Sequence, residues 1–319
     1  MVFRFVLVAV LLSVLSGCGG DDEAFGFRPR AGNTGSINLY VTDAPIDYAT
    51  EVVLTFTGVV LERAEGDPVH LRVQPARSIN LLSLQWGNRA QLLDDVTVPA
   101  GEYESLRLLV LADVQTTDSY VGFVDGSLAS LYVPRGEDVG LEIREEFIVS
   151  AGGTTDFVVD FDLRRGLVRR HDTLDYRLYP YLRFAREDNM GALQGRVPYG
   201  FLTGPNCDNG LNHDTGNAVF LFQGDEISGN SEDVVASGSV RLDPDSGHYT
   251  YFIDVLPSGR YTVAFTCRAA DRHYDGFVLT EFRRGGVIDV VPGTTAVFNF
   301  PEDGVEPDEN DSGFFGSES

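Results

Sequence analysis

The chain has 319 residues, 24 basic side chains that are all arginine, and 48 acidic ones, for a formal net charge of −24. Such a surface repels polyanions, which excludes nucleic acid binding through counterion release and a polybasic attachment to anionic lipid. The acidic excess serves solubility, with a saline habitat or the collection of divalent cations as alternatives. With 43% hydrophobic residues, 21 Phe and 13 Tyr, the chain is too apolar to be disordered throughout, and its length suggests two domains.

Residues 1–17 carry Arg4, an apolar run from Phe5 to Leu15 and the small residues Ser16 and Gly17 before Cys18. A basic start, a short apolar centre and small residues at a cut mark an export signal, and the run is too short for a bilayer that needs roughly 20 residues. A plain signal peptide with an incidental cysteine and a buried hydrophobic strand are the other readings. Leu15-Ser16-Gly17-Cys18 resembles the bacterial lipobox. The resemblance implies cleavage before Cys18, a diacylglycerol thioether on its sulfur and acylation of its new amino group, by a palmitate-type chain. Several acyl chains anchor stably where one binds only marginally, at about 0.8 kcal/mol per buried methylene. Gly19 stands where an aspartate would favour inner-membrane retention, so the same resemblance points to the outer membrane of a Gram-negative envelope. Residues 18–35, rich in Gly, Asp and Arg-Pro-Arg, read as a flexible tether.

From Ser36 the chain reads as strands almost throughout. Ile37, Leu39 and Val41 alternate with more polar residues, which predicts one buried and one wet face. Further β-branched and aromatic runs follow at 52–61, 69–73, 103–111, 120–124, 128–133, 141–149, 157–163 and 176–184, separated by turns such as Ala44-Pro45, Pro99-Ala100-Gly101 and Gly152-Gly153. Ile79 to Leu93 reads as a local connection, a short helix or two turns around Trp86. Repeated short strands with Gly and Pro between them predict an all-β chain of antiparallel sandwiches or barrels.

The ordered set Tyr40-Val41-Thr42-Asp43-Ala44-Pro45, Ile79-Asn80-Leu81-Leu82, Pro99-Ala100-Gly101-Glu102-Tyr103 and Val159-Asp160-Phe161-Asp162 resembles the bacterial domain of unknown function 4382, over about residues 32 to 185. The resemblance implies an exported, lipid-anchored protein and carries no established activity. It places the first domain at 36–187.

A second domain is expected over 190–301, with strands at 192–197, 218–222, 234–242, 249–255, 261–266, 277–282, 287–291 and 296–300. Val240 to Tyr251 followed by Leu256-Pro257-Ser258-Gly259-Arg260-Tyr261 is a ladder of strands and Gly-containing turns, and resembles the carboxypeptidase regulatory-like, transthyretin-type sandwich. Modules of that type are usually spacers or adhesion elements. Cys207 and Cys267 are the two cysteines left after Cys18, and an exported context favours a disulfide, with separate buried thiols or a metal pair as alternatives. Residues 302–319 are acidic and apolar-poor, and read as a disordered tail.

For chemistry the sequence offers no nucleophile elbow, zinc-protease helix, phosphate loop or dinucleotide fingerprint, and His70, His171, His213, His248 and His273 share no motif. No catalytic residue is assigned and no cofactor is implied. Asp160 and Asp162 lie two apart on a predicted strand, so their carboxylates share a face while Phe157, Val159 and Phe161 face the core. A calcium ion bridging them needs six to eight oxygens, which would bring in Asp43 or Asp47; the alternative is a solvated or arginine-paired face. The loop from Asn206 to Asp214 has calcium-type side chains without EF-hand spacing, and otherwise reads as an Asx-rich turn pinned by Cys207. The sequence therefore predicts a non-catalytic envelope lipoprotein, tied to the membrane by Cys18, whose loops bind a polysaccharide or an envelope protein. Trp86, Tyr120, Tyr199 and Tyr274 are candidates to stack on sugars. A calcium-dependent adhesin or a polysaccharide-acting hydrolase with an acidic site is the competing expectation.

Overall fold

The computed structural model describes residues 33–44, 46–170, 173–203, 207, 215–227, 233–269 and 282–302. Cys18 with its leader, the Asn206 to Asp214 loop apart from Cys207, the strand expected from Phe277, His171, His213, His273, Tyr274 and the tail from residue 303 lie outside the described residues.

The first β body opens with Thr34–Ala44 (β1), Glu51–Arg63 (β2) and Val69–Asn80 (β3). A 3-10 turn at Leu81–Leu84 leads to Ala90–Pro99 (β4) and Gly101–Leu111 (β5). Four short strands follow, Tyr120–Gly122 (β6), Leu128–Tyr132 (β7), Leu141–Ile143 (β8) and Phe147–Val149 (β9). Thr154–Asp162 (β10) runs into one helical turn, Leu163–Gly166 (α1), before Leu167–Arg169 (β11), Tyr176–Leu178 (β12) and Leu182–Arg186 (β13). One sheet has the order β13-β10-β1-β4, and the other β11-β12-β7-β6-β2-β5-β8 with β3 and β9 attached to β2 and β5.

Period-two alternation makes this a sandwich. Ile37, Leu39 and Val41 of β1 and Phe157, Val159 and Phe161 of β10 share one dry core with Val52, Leu54 and Phe56 of β2. Burial of each such side chain contributes about 1.5–3 kcal/mol. Strand pairing starts two residues before the expected end of the tether at Gly35, because β1 already pairs with Pro99 and Val98 at Thr34 and Gly35.

The connection expected through Leu93 is also cut short. The 3-10 turn forms where a helical piece was expected, with Asn80 capping it by accepting from the Leu82 N–H at 3.2 Å, but the chain is a strand again from Ala90. Two register shifts against β1 let the consecutive Leu92 and Leu93 both face inward, which hides the alternation.

The second β body contains Met190–Arg196 (β14), a helical turn at Tyr199–Leu202 (α2), Ala218–Gln223 (β15) and Val234–Ser239 (β16). Arg241–Leu242 (β17), Tyr249–Pro257 (β18), Gly259–Thr266 (β19), Arg283–Val290 (β20) and Thr295–Val297 (β21) complete it. Two four-stranded sheets, β17-β18-β14-β21 and β16-β15-β19-β20, face each other across Leu193, Leu221, Tyr251, Ile253, Val263 and Phe265. At Gly195 the chains approach so closely that a Cβ would collide with the Phe298 carbonyl. Cys207 and Cys267 form a disulfide with Cα atoms 5.3 Å apart, closing a separation of 60 residues. On the chain-entropy model a loop of that size stabilises by about 4 kcal/mol at most.

The chain is thus all-β, with two sandwiches in tandem. Most pairings are antiparallel; β1 with β10, β7 with β12 and β14 with β21 are parallel, a departure from the antiparallel expectation. Because β1 and β10 run the same way, their ends come out together, setting Thr42 opposite Asp160 and Ala44 opposite Asp162.

Candidate functional site

The ends of β1 and β10 lie against the second body. Asp254 and Val255 of β18 stand opposite the single residue Ala192 of β14, a bulge in which Val255 takes a φ of 54°. A positive φ is costly for a β-branched residue, and bulges of this kind re-aim side chains. Here Val255 packs with Val158 of β10 and Met190 in a small apolar plug, with Tyr40 and Ala185 around it. Thus the face of β10 that carries Val158, Asp160 and Asp162 is covered by the second body, where the sequence left open a solvated or arginine-paired face.

Four arginines of the first body cross this junction, each held at its base by an acid of its own body. Arg164 sits 2.9 Å from Asp47 and donates at 3.1 Å to both the Ala269 carbonyl and Ser239 Oγ, while its guanidinium centre lies 5.9 Å from the Phe220 ring centroid. Arg165 donates to Asp162 at 2.6 Å and to the Val234 carbonyl at 2.7 Å. Arg183, opposite Asp160 in the β10–β13 register, approaches that carboxylate to 2.7 Å and donates to the carbonyls of Val235 at 2.9 Å and Asp254 at 3.3 Å. Arg89 joins Glu187 and Asp254, both at 2.7 Å. Planar guanidinium forks suit such multiple bonding, and the paired charges tolerate burial because nearly every one has a partner.

Asp43 is the exception. It is 6% exposed, and neither of its oxygens has a hydrogen-bond partner. Burial pushes its carboxyl well above the usual carboxylate range; Asp160 and Asp162 push the same way, and Arg164 and Arg183 pull it down. The Asp160 carboxyl is pushed up to about 6, by burial first, against the pull of Arg183.

Asp43 and Asp160 line a cavity of about 20 Å³ with Thr42, Gln85, Arg183 and Ser237. That volume holds about one water molecule. Its rim is fixed by Thr42, whose hydroxyl lies 3.0 Å from the Leu84 carbonyl and 2.9 Å from that of Asn88, and by the turn Gln85-Trp86-Gly87. Trp86 and Gly87 both have positive φ, 64° and 79°, and a Cβ on Gly87 would stand 3.1 Å from the Phe252 ring of the second body.

Of the four aspartates expected to gather round a cation, Asp43 and Asp160 therefore share the cavity, while Asp47 and Asp162 are engaged by Arg164 and Arg165. Among the described residues no three His, Cys, Asp or Glu side chains stand together as a metal-holding group. Trp86 is 41% and Tyr199 55% exposed, on separate bodies, and Tyr120 is half-buried with its hydroxyl 3.2 Å from Glu51. His70 and His248 are exposed. Sequence reasoning missed Gln85, Ser237 and the four arginines. The run Asp160-Phe161-Asp162-Leu163-Arg164-Arg165 carried a signal for two of them, since acids and arginines so close in one strand and turn are natural partners.

No helix among the described residues is long and apolar enough to cross a membrane. Curated proteins give no match to this sequence. Among solved structures, the Bacillus anthracis TIE protein is 11% identical with a TM-score of 0.19, over 84% of this chain and 34% of that one, so the chain spans about a third of its length. A protein described as an adhesin from Bacteroides ovatus is 11% identical with a TM-score of 0.20, over 93% of this chain and 99% of its own. A fimbrial protein from Bacteroides ovatus is 9% identical with a TM-score of 0.20, over 86% of this chain and 50% of that one. Likeness at these scores carries no argument about function. Residues 34–180, just under half of the chain, match the family model described as Domain of unknown function (DUF4382), the family that the ordered motifs of the first β body resemble.

Proposed function

We propose that the protein is a lipid-anchored module of a bacterial cell envelope, without catalytic activity, attached through acylated Cys18 at the outer membrane and acting as a stiff two-body spacer that presents loops to a polysaccharide or an envelope protein. The domains are 34–187 and 190–301, the second a carboxypeptidase regulatory-like sandwich. One observation carries this reading: all four aspartates with the makings of an acidic active site are turned inward, and Asp47, Asp160 and Asp162 brace arginines that join the bodies. Their cavity, at about 20 Å³, is water-sized and admits no sugar. The Cys207–Cys267 disulfide supports an oxidising compartment, in line with export. Exposed Trp86 and Tyr199 are the aromatic surfaces offered to a partner.

The test is mass spectrometry of the mature protein, expressed in a Gram-negative host, together with membrane fractionation. A mature N-terminus at Cys18 carrying acyl mass, and release of Cys18→Ser into the soluble fraction, are the expected results. An unprocessed leader or a bare thiol at Cys18 would overturn the anchor.

A further inference from the structure

Four buried side-chain oxygens among the described residues have neither a hydrogen-bond nor an ion-pair partner, both of Asp43, Gln85 Oε1 and Ser237 Oγ, while the Asp160 oxygen beside them is met by Arg183 alone. All four residues line the same cavity, and every other orphaned buried atom is an arginine Nε elsewhere in the fold or, for Arg183, beside it. Native proteins rarely leave buried polar atoms unsatisfied, so four converging on one small space point to an occupant. All four residues are more than nine-tenths buried, Asp43 and Gln85 at 6% and Asp160 and Ser237 at 3% exposure.

Charge decides what the occupant is. Of the aspartates with buried carboxylates at the junction, Asp47, Asp160 and Asp162 each have an arginine and Asp43 has none, so an ionised Asp43 is a buried negative charge without a counter-charge. A water molecule has two protons to offer and no charge, so it leaves oxygens unmet and that charge untouched. A hard cation, smaller than a water, satisfies carboxylate, amide and hydroxyl oxygens together and neutralises that charge.

We propose that Asp43, Asp160, Gln85 and Ser237 bind a single hard, oxygen-seeking cation that ties the two bodies together. Asp43, Gln85 and Asp160 come from the first body and Ser237 from β16 of the second, so the ion is held fully only when the bodies are docked. The site differs from the four-aspartate set suggested by sequence: two of its ligands are neutral, and Asp47 and Asp162 are not among them. It is independent of the lipid anchor, and its test reads neither anchoring nor partner binding.

Thermal unfolding of the purified, metal-stripped full chain at pH 8 is followed while calcium chloride or sodium chloride is added at constant ionic strength maintained with choline chloride, with metal content measured on the untreated protein. One of the two cations raises the midpoint by about 5 °C at a concentration roughly a hundredfold above its dissociation constant, and the rise continues in proportion to the logarithm of concentration, as it must for a ligand specific to the folded state. Asp43→Asn abolishes the rise. Ser237→Ala, which keeps every charge, shifts the rise to roughly tenfold higher concentration. Asp125→Asn, on the exposed surface, leaves the response intact. A rise that survives in Asp43→Asn belongs to the acidic exterior and overturns the site; so does a flat response to both salts with no stoichiometric metal in the untreated protein.

Discussion

Within each sandwich the contacts are alternating aliphatic and aromatic side chains, interchangeable in kind; between the sandwiches they are four guanidiniums, their acids and a plug of Val158, Met190 and Val255. A core built by area loses stability in proportion to what is removed, whereas a junction built from matched charges fails when one partner is lost. The contrast makes the junction the place where small chemical changes have large effects.

The largest effect is expected at Arg164, which is 1% exposed. Arg164→Met leaves Asp47 charged and unpaired in the interior and should cost about 3–5 kcal/mol in denaturant unfolding. The double variant Asp47→Leu/Arg164→Met should cost less than Arg164→Met alone. A single variant milder than the double would break the comparison.

Next come two conservative substitutions of similar size. Arg183→Lys keeps the charge but cannot reach Asp160 and the carbonyls of Val235 and Asp254 at once, and is expected to cost about 1–3 kcal/mol. Leu39→Met, a volume-conserving swap in the core on β1 of the same sheet, should cost under about 1.5 kcal/mol. Equal losses would remove the distinction between the two kinds of contact.

The cores have their own titratable point. Burial pushes the Tyr103 hydroxyl up to about 12, and it donates to the Pro99 carbonyl at 2.6 Å. The folded state therefore keeps its proton where the unfolded chain, near 10, gives it up. Its stabilising share is intact below pH 10 and is lost as pH rises from 10 towards 12. Tyrosinate absorbance and unfolding followed together across that range should show the loss, and Tyr103→Phe should make it shallower; Tyr251 and Tyr261, also raised by burial, sustain the remainder.

Local pattern made much of this legible. The triplets Ile37, Leu39, Val41 and Phe157, Val159, Phe161 announce inward faces, and the spacing of Asp160 and Asp162 puts both on the opposite one. The disulfide follows from having two cysteines in one exported body. β4 was hidden because its register shifts break the alternation, and the burial of Asp160 and Asp162 because the surface that covers them starts some thirty residues later, at Met190. Gln85 and Ser237 belong to no motif. Only the parallel pairing of β1 with β10, a turn with two positive φ values and a bulge in β18 bring them together, and none of these has a signature in residue order.

Each of the crossing arginines already grips an acid on its own side: Asp47, Asp162, Asp160 and Glu187. A nascent chain completes the amino-terminal half first. Its guanidiniums can then be set in place before any carbonyl from the later half emerges, so assembly resembles a plug meeting a wired socket, and the later half has only to find its orientation on a template that is already laid out.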